Sequence, residues 1–282
     1  MKIIHFITIL RPANAVMAGG AVWLGAWISD SRSPALHLSI LACVAFISTG
    51  FGNVINDILD RETDRISHPE RPLAKGEMHG TSAVVYAVLL ATAALVLACT
   101  VAPIFGFATG IPLAMLVAYA ILLKGTPFAG NLLVSFLVAY SLLFGSLGAP
   151  HFTHLIVPAA LAMLLNLSRE IIKDVQDSAG DRAAGIVTTA VLPALLLRRF
   201  IYLCSGLYML LVYLPYFKGN FGIAYVAAVT TTALPLHGYR ISLLMKNDWT
   251  SRCSRLSLLL KIEMLAGLAA LAVDRISSGI LR

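Results

Sequence analysis

Asn53-Val54-Ile55-Asn56-Asp57-Ile58-Leu59-Asp60-Arg61-Glu62-Thr63-Asp64 closes one long apolar run, and Arg169-Glu170-Ile171-Ile172-Lys173-Asp174-Val175-Gln176-Asp177-Ser178-Ala179-Gly180-Asp181 closes another. Carboxylates stand at Asp57, Asp60 and Asp64 in the first stretch and at Asp174, Asp177 and Asp181 in the second, with the same offsets of three and then four. On a helix this spacing lines three side chains along one face. Each triplet follows a hydrocarbon-like segment, so both are expected where a buried helix reaches a membrane surface.

Composition supports a membrane setting. Of 282 residues, 59% are hydrophobic and 12% charged, and the mean hydropathy is +0.84. A soluble domain carries about twice that charge fraction, too much to leave room for a soluble reading here. The expectation is an all-α, multi-pass membrane protein, because only helices or closed barrels satisfy the backbone in lipid. Cys43, Cys99, Cys204 and Cys253 lie far apart without a CxxC pair and read as packing residues. The net charge of +7 is scattered through short loops rather than gathered in an arm, which argues against nucleic acid. No small-residue cleavage pattern follows Trp23, Gly25 and Trp27, so the first apolar run reads as a retained span.

Nine spans are predicted, near 12–28, 38–59, 81–101, 103–123, 128–147, 155–172, 200–217, 221–244 and 256–273, with residues 1–11 as an interfacial lead-in and 178–199 as a polar loop. With the N-terminus cytoplasmic, this count puts seventeen of the 21 Lys and Arg residues on the cytoplasmic side of the cell membrane, together with both acidic triplets. The recurrence of the triplet four spans later predicts one transmembrane domain, built as two pseudo-repeated halves of about 1–125 and 126–282 around a central cavity.

Six carboxylates at two helix mouths require cations between them. Oxygen donors with room for water select Mg²⁺, and two such ions could be held around a diphosphate. A metal-held diphosphate on a lipid-tailed substrate is a leaving group, and loss of an allylic diphosphate leaves a carbocation that needs a dry apolar chamber. Arg71, Lys75, Lys124, Lys173 and Arg182 are candidates for holding the phosphate oxygens. Asn14, Asn53, Asn56 and Asn131 are candidates for lining the cavity or orienting a carboxylate. Arg198 and Arg199 read as a helix-end anchor.

These residues resemble the UbiA superfamily of intramembrane prenyltransferases over essentially the whole chain. Asn53, Asn56, Asp57, Asp60 and Asp64 match its first acidic motif, and Arg71-Pro72 the loop that follows. Lys173, Asp174, Asp177, Gly180 and Asp181 match its second, running on into Arg182 and Gly185. Arg11-Pro12 with Asn14, and Lys124 with Gly130-Asn131, also look like family positions. The resemblance implies nine transmembrane helices and two Mg²⁺ ions bridging the motifs to a prenyl diphosphate. Within the family, the Asn-Asp-Ile-x-Asp, Pro-Glu-Arg-Pro and Arg-Glu-Ile-x-Lys-Asp patterns imply transfer of a geranylgeranyl group from geranylgeranyl diphosphate to geranylgeranylglyceryl phosphate, giving an ether lipid precursor. One departure bears on the acceptor: Ile186-Val187-Thr188-Thr189-Ala190-Val191 stands where many members have Thr-Leu-Pro.

An aromatic acceptor, as in quinone or haem biosynthesis, is the neighbouring alternative. A membrane transporter is the alternative of another class, but its acids belong near the bilayer midplane between broken helices. Here they close apolar runs beside polar loops.

Overall fold

A computed structural model describes residues 2–123, 126–183, 185 and 187–280, and among them the only regular structure is helical. A short helix, α1 (Ile3–Ile9), bends by 56° into α2 (Pro12–Ile28). Then come α3 (Ala35–Leu59), α4 (Arg61–Ser67), α5 (Gly80–Val101) and α6 (Pro103–Ala118), the last running on as a π-helical turn over Tyr119–Leu123. The second half holds α7 (Ala129–Phe144), α8 (Ile156–Ala183), α9 (Ala194–Leu211), α10 (Leu214–Phe217), α11 (Ile223–Ala228), α12 (Leu234–Leu244) and α13 (Cys253–Ile280).

Nine spans are not what forms. Among the described residues six helical segments are long and apolar enough to cross a bilayer, or seven if the bent α1–α2 pair counts as one. Two of the predicted spans fail for different reasons. Helix α7 has only 16 residues, short of the roughly 20 a span needs. The segment expected at 221–244 is instead α11, a π-helical stretch over Val229–Ala233, and α12, with Pro235 at the start of α12 and the polar His237 and Arg240 inside it. The polar loop is also shorter than expected: α8 continues to Ala183 and α9 begins at Ala194, which puts Arg198 and Arg199 within a helix.

The chain divides into two compact units. The first comprises Met1–Trp23, Arg32–Leu133 and Asp177–Thr188. Its packing follows the rule for helices in lipid, where small residues let backbones approach and large ones face the acyl chains. The buried residues of α5 are all alanines, at 83, 87, 94 and 98, whereas Val84, Val85, Val88 and Leu89 are exposed. Gly52 of α3 lies under the Leu116 side chain of α6, whose methyls would stand 3.1–3.2 Å from an added Cβ.

The second unit comprises Leu24–Ser31, Val134–Gln176 and Thr189–Arg282. It is tied together by buried polar contacts. Asn166 of α8 donates to Ser135 of α7 at 3.3 Å. Asp274 of α13 accepts from the backbone N–H groups of Gly222 and Tyr225 at 2.9 and 3.0 Å, satisfying donors at the start of α11. Glu263 of α13, fully buried, accepts from Arg240 Nε at 2.9 Å and meets His237 Nδ1 at 2.6 Å. Cys204 and Cys253 are buried and unbridged, in keeping with packing roles.

Candidate active site

The first acidic triplet sits where α3 gives way to α4. Asp60 is the joint: its N–H donates to Asn56 O at 2.8 Å and its carbonyl accepts from Asp64 N at 2.6 Å, so the helical bonding runs on from α3 into α4. Asp57 and Asp64 are buried, 2% and 3% exposed, and Asp60 is half-buried. Upstream, the buried Asn53 amide donates to Leu10 O at 2.8 Å and pins the α1–α2 bend. Arg11 lies at that bend in the left-handed backbone region (φ 51°), a strain of about 1 kcal/mol or more for a non-glycine residue. Its guanidinium reaches Asp57.

The loop after α4 returns a second guanidinium. Buried Leu73 and Met78, both 1% exposed, anchor this loop, and Gly76 turns it with φ 78°. Arg71 Nη1 lies 2.6 Å from both carboxylate oxygens of Asp64 and 3.6 Å from Asp57 Oδ1. Two carboxylates thus converge on one cationic atom. Burial pushes the Asp64 carboxyl up to about 6 despite the opposing pull of Arg71.

The second triplet lies on α8, and its last two members belong to the same unit as the first triplet. His68, at the end of α4, meets Asp177 Oδ1 through Nε2 at 3.1 Å. That bond pushes the imidazole above its ordinary range. Asp181 is buried and accepts from Thr188 Oγ1 at 3.1 Å. Asp174, in the other unit, accepts from the backbone N–H of Thr189 at 3.2 Å.

The remaining predicted residues divide. Asn131 is buried; Asn14 and Asn56 are half-buried. Lys75, Lys173 and Arg182 are engaged by near neighbours rather than by the acids: Lys75 by Glu77 at 2.6 Å, Lys173 by Glu170 at 3.0 Å, Arg182 by Ser178 O at 3.0 Å. Lys124 lies outside the described residues. Arg11 and His68 were not among the predicted site residues, yet each is bonded to one of the acids. A usable signal existed for His68, three residues before Arg71 in the loop closing the first triplet.

Carboxylate oxygens are the donors a hard divalent cation takes, and Asp57 and Asp64 already share a cation. The buried Thr63 hydroxyl, next to Asp64, has no hydrogen-bond partner, an orphan of the kind that marks a place for a ligand or water. Both observations fit Mg²⁺. As they stand, no three His, Cys, Asp or Glu side chains among the described residues converge closely enough to hold an ion. Asp57 and Asp64 close on Arg11 and Arg71, and Asp177 on His68, instead.

Fold and site together define a helical membrane protein with a polar centre of paired acids and guanidinium groups at its helix ends. The model of the UbiA prenyltransferase family matches residues 18–262, and the chain belongs to that family: it is a membrane-embedded prenyltransferase. It is 36% identical over 227 residues to digeranylgeranylglyceryl phosphate synthase of Natronomonas pharaonis, covering 79% of this chain and 81% of that one. Over 278 residues it is 32% identical to the enzyme of the same name from Thermococcus kodakarensis, covering 97% and 98%. Among solved structures, one of digeranylgeranylglyceryl phosphate synthase in membranes superposes with a TM-score of 0.77 at 28% identity, covering 98% of this chain and 99% of that one. A UbiA homolog from Archaeoglobus fulgidus bound to DMAPP and Mg²⁺ shares the fold, with a TM-score of 0.67 at 18% identity, covering 95% and 99%.

Proposed function

We propose that this prenyltransferase moves the geranylgeranyl group of geranylgeranyl diphosphate onto the free hydroxyl of geranylgeranylglyceryl phosphate, forming the second ether bond of an archaeal-type lipid precursor. The observation that carries this reading is the near end-to-end likeness to a synthase of that name. The reaction is Mg²⁺-dependent, in keeping with the oxygen donors of the site and with the Mg²⁺-bound homolog of the same fold. When bound, the metal neutralises charge developing on the departing diphosphate.

The chain's own residues do the rest. Asp57, Asp60, Asp64, Asp174, Asp177 and Asp181 would hold the metal, and six carboxylates are enough for two ions. Arg71 is poised to trade its contact with Asp64 for a diphosphate oxygen, since both compete for the same guanidinium. Lys75, Lys173 and Arg182 are short-range partners that can release to an anionic headgroup. The apolar helices keep water from the allylic cation. Basic residues cluster with both triplets, at Arg61, Arg65, Arg71 and Lys75 and at Lys173 and Arg182, which supports a cytoplasmic face for the site.

The test is an assay of purified protein in detergent with geranylgeranyl diphosphate, offering geranylgeranylglyceryl phosphate or 4-hydroxybenzoate as acceptor, with and without Mg²⁺. Ether formation only with the glycerophosphate and only with metal is expected. Turnover of the aromatic acceptor alone, or turnover indifferent to metal, overturns the assignment.

A further inference from the structure

Gly180 stands between the second and third acids of the α8 triplet, at the point where α8 meets α4. A glycine inside a helix costs about 0.5–1 kcal/mol relative to alanine, and the other use of glycine, a left-handed backbone, does not apply: Gly180 is not among the positive-φ glycines. Its surroundings give the reason. A Cβ there would fall 2.8 Å from the Thr63 carbonyl oxygen and 3.0 Å from Thr63 Cγ2, and would run into the Ser67 hydroxyl. The hydroxyl can rotate away. The Thr63 carbonyl is helix backbone and cannot, so any side chain at 180 drives α4 and α8 apart.

What those helices carry makes the spacing matter. Asp64 follows Thr63 directly; Asp177 and Asp181 lie three residues before and one after Gly180. The same crossing is bridged by His68 to Asp177 and by Ser67 Oγ to Asp177 O at 3.4 Å.

We propose that Gly180 is a positioning residue that sets the separation between the two acidic triplets, so that one metal–diphosphate unit is reached from both. This rests on the function proposed above. Groups that orient metal ligands from outside the coordination sphere typically govern metal affinity by about tenfold to a hundredfold, and relieving the 2.8 Å contact with the Thr63 carbonyl takes a backbone shift of a few tenths of an ångström.

The experiment is direct binding, with no turnover needed. Mn²⁺ with inorganic pyrophosphate is titrated into the purified full-length chain and followed by the electron paramagnetic resonance of free Mn²⁺. Gly180→Ala is compared with Gly206→Ala, a helical glycine with nothing within 4 Å of an added Cβ. Gly180→Ala should weaken binding about tenfold to a hundredfold, and Gly206→Ala should leave it unchanged. Ser67→Leu adds bulk from the α4 side and should weaken binding in the same way, which keeps the test open should Gly180→Ala fold poorly. Gly180→Ala/Ser67→Ala should remain weak, because the Thr63 carbonyl is still in place; recovery in that pair, or wild-type affinity in both single variants, overturns the spacing role. Failure of the wild-type chain to bind Mn²⁺–pyrophosphate overturns the proposed function itself.

Discussion

Both carboxylate oxygens of Asp64 lie 2.6 Å from the same nitrogen of Arg71. The contact uses one end of the guanidinium, so the pair has a point-charge character on the acid side and leaves the rest of the fork for another anion. Removing the side chain strands a carboxylate that is 3% exposed. Arg71→Ala should therefore lower stability by about 1–3 kcal/mol and weaken binding of geranylgeranyl diphosphate by about tenfold or more. Arg71→Lys should restore stability further than it restores donor affinity, because one ammonium group can serve Asp64 but not present a fork to diphosphate. Unfolding in detergent and donor titration of both variants check the split; equal recovery of the two would assign Arg71 to the fold alone.

The placement of the acids toward helix ends, the Arg71 loop and the membrane class were legible because each is written locally: charge spacing on a helix, an Arg between prolines, long apolar runs. The span count was not. Hydropathy windows register the apolar residues around 223–244, but they do not register that His237 and Arg240 are drawn inside to meet Glu263, some twenty residues further on. Nor does a window predict that α7 stops at Phe144. Arg11 was missed as an acid partner for the same reason, since it finds Asp57 across 46 residues; for His68 the loop position beside Arg71 was a signal, but its partner Asp177, 109 residues on, was not legible. Long-range pairing leaves no period in the sequence.

Metal binding should depend on pH in a defined direction. The Asp64 carboxyl, held up to about 6 chiefly by burial, keeps its proton over an interval in which an ordinary aspartate is ionised. Ligation needs the anion, so proton and metal compete, and the metal-free protein gives up a proton on loading. Mn²⁺ affinity measured from neutral pH to roughly pH 5 should fall as pH drops through this value. Asp64→Asn should bind more weakly at neutral pH and lose most of this dependence. A wild-type affinity that is flat across the interval would exclude Asp64 as a ligand.

Asp57 and Asp177 should separate stability from turnover. Both are proposed metal ligands, and Asp57→Asn and Asp177→Asn should each remove Mg²⁺-dependent prenyl transfer. Their structural situations differ. Asp57 is 2% exposed and faces the guanidinium groups of Arg11 and Arg71, whereas the Asp177 side chain is 22% exposed and faces an imidazole. Losing the buried charge opposite two cations should lower stability by several kcal/mol, and losing the more exposed one by about 1 kcal/mol or less. Thermal unfolding of the two variants beside their residual transfer rates tests this, and an Asp177→Asn protein with wild-type turnover would remove the second triplet from the site.

The Glu263 cluster should behave as a structural knot, independent of metal. Its carboxylate is fully buried and holds both Arg240 and His237, while Arg240, 1% exposed, also donates to Ser205 at 3.3 Å. The His237 ring stacks on Tyr208 at 5.2 Å. Breaking one member of such a set leaves an uncompensated charge among apolar helices and costs about 3–5 kcal/mol, whereas replacing the whole set with well-packed apolar side chains is often neutral. Glu263→Ala should therefore unfold at markedly lower denaturant than wild type, and the combination Glu263→Leu, Arg240→Met, His237→Phe should recover most of the loss. Mn²⁺–pyrophosphate affinity per folded molecule should be the same in all three proteins. If the stable triple variant bound metal normally but failed to transfer the prenyl group, the cluster would be serving the acceptor rather than the fold.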